Sequence, residues 1–134
     1  MTKLQKNKIK AKTKSPSILI LEDEKYYSRV VKLKLKIEGY QVEVADNVND
    51  FWKLLKTFKP DLVLLDLLLP QQNGFEVLRM VKKDPLLKKT MVIVYSSLSQ
   101  GDDRAKALQL GAKDYFIKSE LTLADLVAKI KNLI

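Results

Sequence analysis

Apolar residues fall along this chain in short runs separated by longer stretches where they recur every three or four positions, so the hydrophobic period switches repeatedly between two and 3.6. Ser17 to Leu21 is a β-rich apolar run, Gln41 to Ala45 alternates as a strand does, and Asp61 to Asp66, Met91 to Tyr95 and Asp114 to Ile117 read as three more strands. Between them lie helical patterns. Lys25 to Glu38 carries Tyr26, Tyr27, Val30, Val31, Leu33, Leu35 and Ile37. Its later Leu-Lys alternation also fits a strand, but its length and the stop at Gly39 favour a helix. Asp46-Asn47 offers cap chemistry to a second helix with the stripe Val48, Phe51, Trp52, Leu54, Leu55 and Phe58, closed by Lys59-Pro60. After the loop Gln71-Gln72-Asn73-Gly74, a third helix begins with Phe75, Val77, Leu78 and Val81 and stops near Asp84-Pro85. A fourth runs from Asp102-Asp103 to Gly111, and Thr122-Leu123-Ala124-Asp125 is a capping box with Asp in place of Glu or Gln. It opens a last helix with Leu123, Leu126, Val127, Ile130 and Leu133 inward.

Five strands alternating with five helices imply an α/β fold of the (βα)5 type, a doubly wound parallel sheet with right-handed crossovers and helices on both faces. One position breaks the pattern. In Leu62-Val63-Leu64-Leu65-Asp66-Leu67-Leu68-Leu69-Pro70 a carboxylate interrupts a run that reads as a strand buried on both faces, where an ionised acid is costly unless paired or metal-bound. Pro70 ends the ladder, so Asp66 falls at the carboxyl end of its strand, where open α/β sheets place their ligands.

Composition narrows the chemistry. The 134 residues fit one domain with a core of its own. Cysteine and histidine are both absent, which removes thiolate and imidazole chemistry and leaves oxygen ligands for any metal, favouring Mg²⁺, Mn²⁺ or Ca²⁺. No secretory leader and no bilayer-spanning apolar stretch is present, which fits a cytoplasmic protein with no membrane partner. The net charge of +9 suggests nucleic acid until it is located: Lys3, Lys6, Lys8, Lys10, Lys12 and Lys14 supply six charges before residue 17 with no acid among them. Residues 1 to 16 therefore read as a flexible basic arm, either a solubilising tail or a weak polybasic contact to nucleic acid, ahead of a domain from 17 to 134.

The strand ends supply a constellation. The first strand gives Glu22 and Asp23, the third Asp66, the fourth Ser96, the fifth Lys118. In the sheet order 2-1-3-4-5, strands one and three are neighbours at the switch point, so three carboxylates crowd one crevice. Like charges that close raise one another's pKa or call in a cation, and a hard dication, Mg²⁺ or its substitute Mn²⁺, answers with the ligands available. A carboxylate nucleophile, a hard cation, an ammonium and a hydroxyl suit phosphoryl transfer. Other phosphate chemistries lack their marks. Gly39, Gly74, Gly101 and Gly111 form neither a Walker loop nor a dinucleotide fingerprint. The first strand carries no Asp-x-Asp of the haloacid-dehalogenase kind, and Leu68 stands where a Toprim-like site needs its second acid.

With these residues in this order, the chain over 17 to 134 resembles the receiver domain of a two-component response regulator, of the single-domain chemotaxis type, with its flavodoxin-like fold. The resemblance implies that Asp66 is the phospho-acceptor, that Asp23, Asp66 and the backbone carbonyl of Leu68 bind Mg²⁺, and that Glu22 orients metal-bound water. It implies further that Ser96 bonds the phosphoryl group, that Lys118 pairs with it, and that Tyr115 is a switch aromatic. Such a domain is a signalling module, not an enzyme in the ordinary sense. Its expected donor is a sensor histidine kinase or histidine phosphotransfer protein, and its expected reader an effector docking on the face of the fourth helix, last strand and last helix of a monomer or weak dimer. The alternative is an unphosphorylated interaction or nucleic-acid-binding module that works through the basic arm. Two departures stand out. Ser119 replaces the proline that usually follows the lysine across a cis bond, so either the bond is trans and Lys118 shifts slightly or the fold absorbs a cis cost of about 3 kcal/mol. Leu68 and Ser97 replace a polar and a small residue, and are expected to narrow water's access to an acyl phosphate.

Overall fold

A computed structural model describes residues 15–134. The lysine arm lies outside the described residues, except Ser15 and Pro16 at its end. The order of elements is β1 (Ser17–Leu21), α1 (Lys25–Ile37), β2 (Gln41–Ala45), α2 (Val48–Phe58), β3 (Leu62–Leu65), α3 (Gly74–Lys83), β4 (Met91–Ser96), α4 (Asp103–Gln109), β5 (Asp114–Ile117), a 3-10 turn (Lys118–Glu120) and α5 (Leu123–Lys131). All pairings are parallel, in the order β2-β1-β3-β4-β5.

Because side chains alternate across a strand, each strand feeds two separate cores. Leu19, Leu21, Val63, Leu65, Val92 and Val94 pack under α2, α3 and α4, whereas Ile18, Ile20, Leu62, Leu64, Ile93 and Phe116 pack under α1 and α5. The caps at Asn47 and Thr122 follow the sequence, and Asn73, read as loop, adds another. Asn47 accepts from the Asp50 N–H at 2.8 Å, Asn73 accepts from the Phe75 N–H at 2.9 Å, and Thr122 and Asp125 cap each other's backbone at 3.1 Å. Gly39 takes φ 100°, a left-handed conformation that suits the residue just past a helix end.

Two expectations need correction. β3 is shorter than Asp61 to Asp66, since both acids flank it: Asp61 Oδ2 accepts from the Ser17 N–H at 2.8 Å and ties the starts of β1 and β3 together. β4 runs on to Ser96. In α1, Tyr26, Leu33 and Ile37 face outward at 78%, 61% and 70% exposure, and Val31 and Leu35 with Ser28 form the buried stripe. The alternating Leu-Lys sequence places apolar residues on both sides of the helix, and only one side can meet the sheet.

Candidate functional site

The register of the sheet brings the acids together. Leu21 and Leu65 are direct partners in β1 and β3, so the residues after them leave the sheet side by side. The ladder runs one step further, with Asp66 N–H donating to Leu21 O and Glu22 N–H to Ala45 O, both at 3.1 Å. These bonds fix both backbones up to the residues that carry the carboxylates. Asp66 is 5% exposed and Glu22 4%, while Asp23 stands at the open rim. Oxygens of Glu22, Asp23 and Asp66 lie within 4.8 Å of one another, a spacing that fits oxygen ligation of a hard cation.

Both carboxylate oxygens of Asp66 are engaged. Oδ1 accepts from Ser96 Oγ at 2.9 Å and from the Leu68 N–H at 3.0 Å, and Oδ2 accepts from Lys118 Nζ at 3.1 Å. Lys118 reaches this point because β5 pairs with β4 in a register that sets Ile117 beside Ser96. Its ammonium also donates to Glu22 Oε1, so one cation bridges two buried acids. The described backbone contains no cis peptide bond, hence Lys118-Ser119 is trans and the lysine still meets Asp66.

Burial, with Asp66 next to it, pushes the Glu22 carboxyl up to about 7 against the pull of Lys118. Burial alone would lower Lys118, but Glu22 and Asp66 outweigh it and leave the ammonium above its usual value. Tyr115 is buried and pushed up to about 12 for that reason. Its hydroxyl donates to the Leu98 carbonyl at 2.7 Å in the loop after β4, outside the acid cluster itself.

Of the residues singled out in the sequence, Glu22, Asp23, Asp66, Ser96 and Lys118 converge. Leu68 joins them through its N–H, and its side chain is half-exposed at the mouth. Two participants were missed. Tyr27 and Tyr95 place their rings 4.5 and 5.7 Å from Lys118 Nζ. The available signal was positional: Tyr95 directly precedes Ser96, and Tyr27 follows Asp23 by four residues, in the first turn of α1. Chemically, three carboxyl groups face one ammonium, an excess of negative charge that favours a dication, around one carboxylate whose oxygens already hold a hydroxyl and an ammonium donor.

Comparison with known proteins agrees with this geometry. The family model described as "Response regulator receiver domain" matches residues 18–131. The phosphate regulon transcriptional regulatory protein PhoB of Pseudomonas aeruginosa is 32% identical over 115 residues, covering 86% of this chain and 50% of its own. The chain thus spans about half the length of that curated relative. Among solved structures, the signal receiver domain of a DNA-binding response regulator from Colwellia psychrerythraea 34H superposes with a TM-score of 0.82 at 31% identity, over 89% of this chain and 98% of that one. The Mn²⁺-bound form of response regulator Rcp1 gives 0.73 at 30%, over 88% and 91%. With sheet order, acid cluster and family match in agreement, this chain belongs to the response regulator receiver domains.

Proposed function

We propose that this domain is a phosphorylation switch whose acceptor is Asp66. The observation that carries the reading is the pairing on one buried carboxylate of a hydroxyl from β4 and an ammonium from the end of β5, with two more acids alongside. A nucleophilic carboxylate oxygen attacks phosphorus in line, the bond from phosphorus to the donor's leaving group breaks, and the product is an aspartyl phosphate. The expected natural donor, by family, is the phosphohistidine of a kinase or phosphotransfer partner, and the chain has no histidine of its own to supply it.

Glu22, Asp23 and Asp66 are the side chains that would hold Mg²⁺, with the backbone carbonyl of Leu68 as a further ligand. The ion would neutralise charge on the phosphoryl oxygens. The remaining work falls to the protein. Ser96 Oγ, 2.9 Å from Asp66, donates to a phosphoryl oxygen, and Lys118 follows the new negative charge. Drawing Ser96 toward the phosphoryl group pulls on the loop after β4, where Tyr115 is already tethered through Leu98. That couples the site to the face of α4, β5 and α5, on which Arg104 bonds Asp114 and the Tyr115 carbonyl, each at 3.0 Å. This face is the proposed platform for a downstream partner.

The test is incubation of the full chain with acetyl phosphate and Mg²⁺. Gain of one phosphoryl group by intact mass, dependent on Mg²⁺ and abolished in Asp66→Asn, is expected. Unmodified protein, or equal modification of Asp66→Asn, would refute the assignment.

A further inference from the structure

The ammonium of Lys118 sits in a box with two kinds of wall. Glu22 and Asp66 close one side. On the other are the rings of Tyr27, from the first turn of α1, at 4.5 Å, and of Tyr95, from β4, at 5.7 Å, both within the range of a cation–π contact. The rings brace each other edge-to-face, with centroids 6.1 Å apart and planes at 63°. They are anchored in the core under α1 and α5, where Tyr95 is 6% exposed. The lysine side chain is only 9% exposed, so water does little to hold or screen the ammonium.

The two kinds of wall respond differently to a metal. A dication at the acid cluster competes with the ammonium for Glu22, because the same carboxylate is bonded to Lys118 and stands in the cluster. The ring faces attract an ammonium through their quadrupole, but supply no carboxylate a hard metal would claim. They hold Lys118 whether or not Glu22 is taken. Backbone rigidity after the lysine offers less, since Ser119 follows across an ordinary trans bond into a 3-10 turn.

We propose that Tyr27 and Tyr95 are positioning residues that keep the Lys118 ammonium beside Asp66 when a dication occupies the acid cluster. This rests on the reading of Asp66 as the phospho-acceptor and adds two residues to its machinery. The test is the rate of Asp66 phosphorylation by acetyl phosphate at saturating Mg²⁺ in the full chain, followed by intact mass. It compares Tyr27→Phe, Tyr27→Leu and Tyr95→Leu, each alone and combined with Lys118→Met. Phe keeps a ring face and is expected to keep the wild-type rate; Leu is expected to slow it on the order of tenfold, the range of a desolvated cation–π contact. In the Lys118→Met background the Leu substitutions are expected to add no further loss, a non-additivity that a merely structural role would not produce. Mg²⁺ affinity by calorimetry is expected to stay within twofold.

A Tyr27→Leu rate within twofold of wild type overturns the proposal, and so does an equal loss with and without Lys118. Tyr27 is less buried than Tyr95, so Tyr27→Leu decides the matter if Tyr95→Leu does not fold. If wild type takes up no phosphoryl group, the acceptor reading falls and this proposal with it. If wild type is labelled and the Leu variants are not slowed, only the positioning role falls.

Discussion

Replacing Lys118 by methionine removes one charge and keeps the length of the stem, which isolates the electrostatics of the acid cluster from its packing. The lysine side chain is 9% exposed, and those of Glu22 and Asp66 are 5% and 6%. At an effective dielectric near 20, the contact with Asp66 at 3.1 Å alone carries roughly 5 kcal/mol of gross attraction. Much of that offsets the desolvation of the ions. Removing the cation leaves the desolvation in place, and breaking a buried pair in this way costs about 3–5 kcal/mol. For a domain of this size that is on the order of 10–20 °C in Tm.

The loss has a pH signature. With Lys118 present, burial and Asp66 already push Glu22 up to about 7. Without the ammonium Glu22 holds its proton more tightly still, and each unit of upward shift offsets about 1.4 kcal/mol at a pH below its pKa. It also has a metal signature, because a dication supplies the missing charge and a ligand at a hundred times its Kd adds about 2.7 kcal/mol. Urea denaturation of Lys118→Met against wild type, in chelator, is expected to show a loss of about 3–5 kcal/mol at pH 8 and a smaller one at pH 6. Millimolar Mg²⁺ is expected to rescue the variant more than it stabilises wild type. A loss below about 1 kcal/mol at pH 8, or one unmoved by pH and Mg²⁺, would refute the electrostatic account.

The metal-free protein itself is expected to lose stability as pH rises from the unfolded value of 4.5 toward about 7, because the native Glu22 holds a proton that the unfolded chain has released; the gap between pH 5 and pH 8 in wild-type urea midpoints should shrink in Glu22→Gln. Gly74→Ala is expected to cost about 3 kcal/mol, since a Cβ there would stand 2.4 Å from Leu67 Cα and push apart the start of α3 and the loop after β3; a urea midpoint within error of wild type would contradict it. Tyr115→Phe removes the 2.7 Å bond to the Leu98 carbonyl and should cost about 1 kcal/mol while speeding amide exchange in the loop after β4. Leu68, 47% exposed beside Asp66, is expected with Ser97 to slow hydrolysis of an aspartyl phosphate, so Leu68→Asn with Ser97→Ala should shorten its lifetime; an unchanged or longer lifetime would remove both residues from that role.

The strands were legible because their apolar residues run together or, in Gln41 to Ala45, alternate, and two caps because Asn47 and Thr122 stand where a helix must begin; Asn73 read only as loop. Asp66 was legible because a buried carboxylate is anomalous. What stayed hidden depends on contacts between distant segments. Nothing local says that Asp61 leaves β3 to cap Ser17, 44 residues away. In α1, sequence period alone does not choose between the Leu35 side and the Leu33 side; the sheet chooses, through Ile18, Ile20 and Val42. Tyr27 and Tyr95 read as ordinary core aromatics, and only the arrival of Lys118 from β5 makes them part of the site.

The placement of that lysine shows which feature of the fold governs the site. Ser119 raised the question whether the ammonium would miss its mark without a rigid cis turn behind it. The trans chain shows that it does not, because the position is set upstream of the turn. β5 is locked to β4 through Tyr95 beside Phe116 and Ser96 beside Ile117. Lys118 therefore starts one residue beyond a fixed pair, the one that joins Ile117 to Ser96. From there the stem needs only a direction, and the acids on one side and the rings on the other supply it. Register sets where the lysine begins and the box sets where its charge ends, so a slip of β5 by one residue would turn the side chain to the opposite face and remove the ammonium from Asp66 altogether.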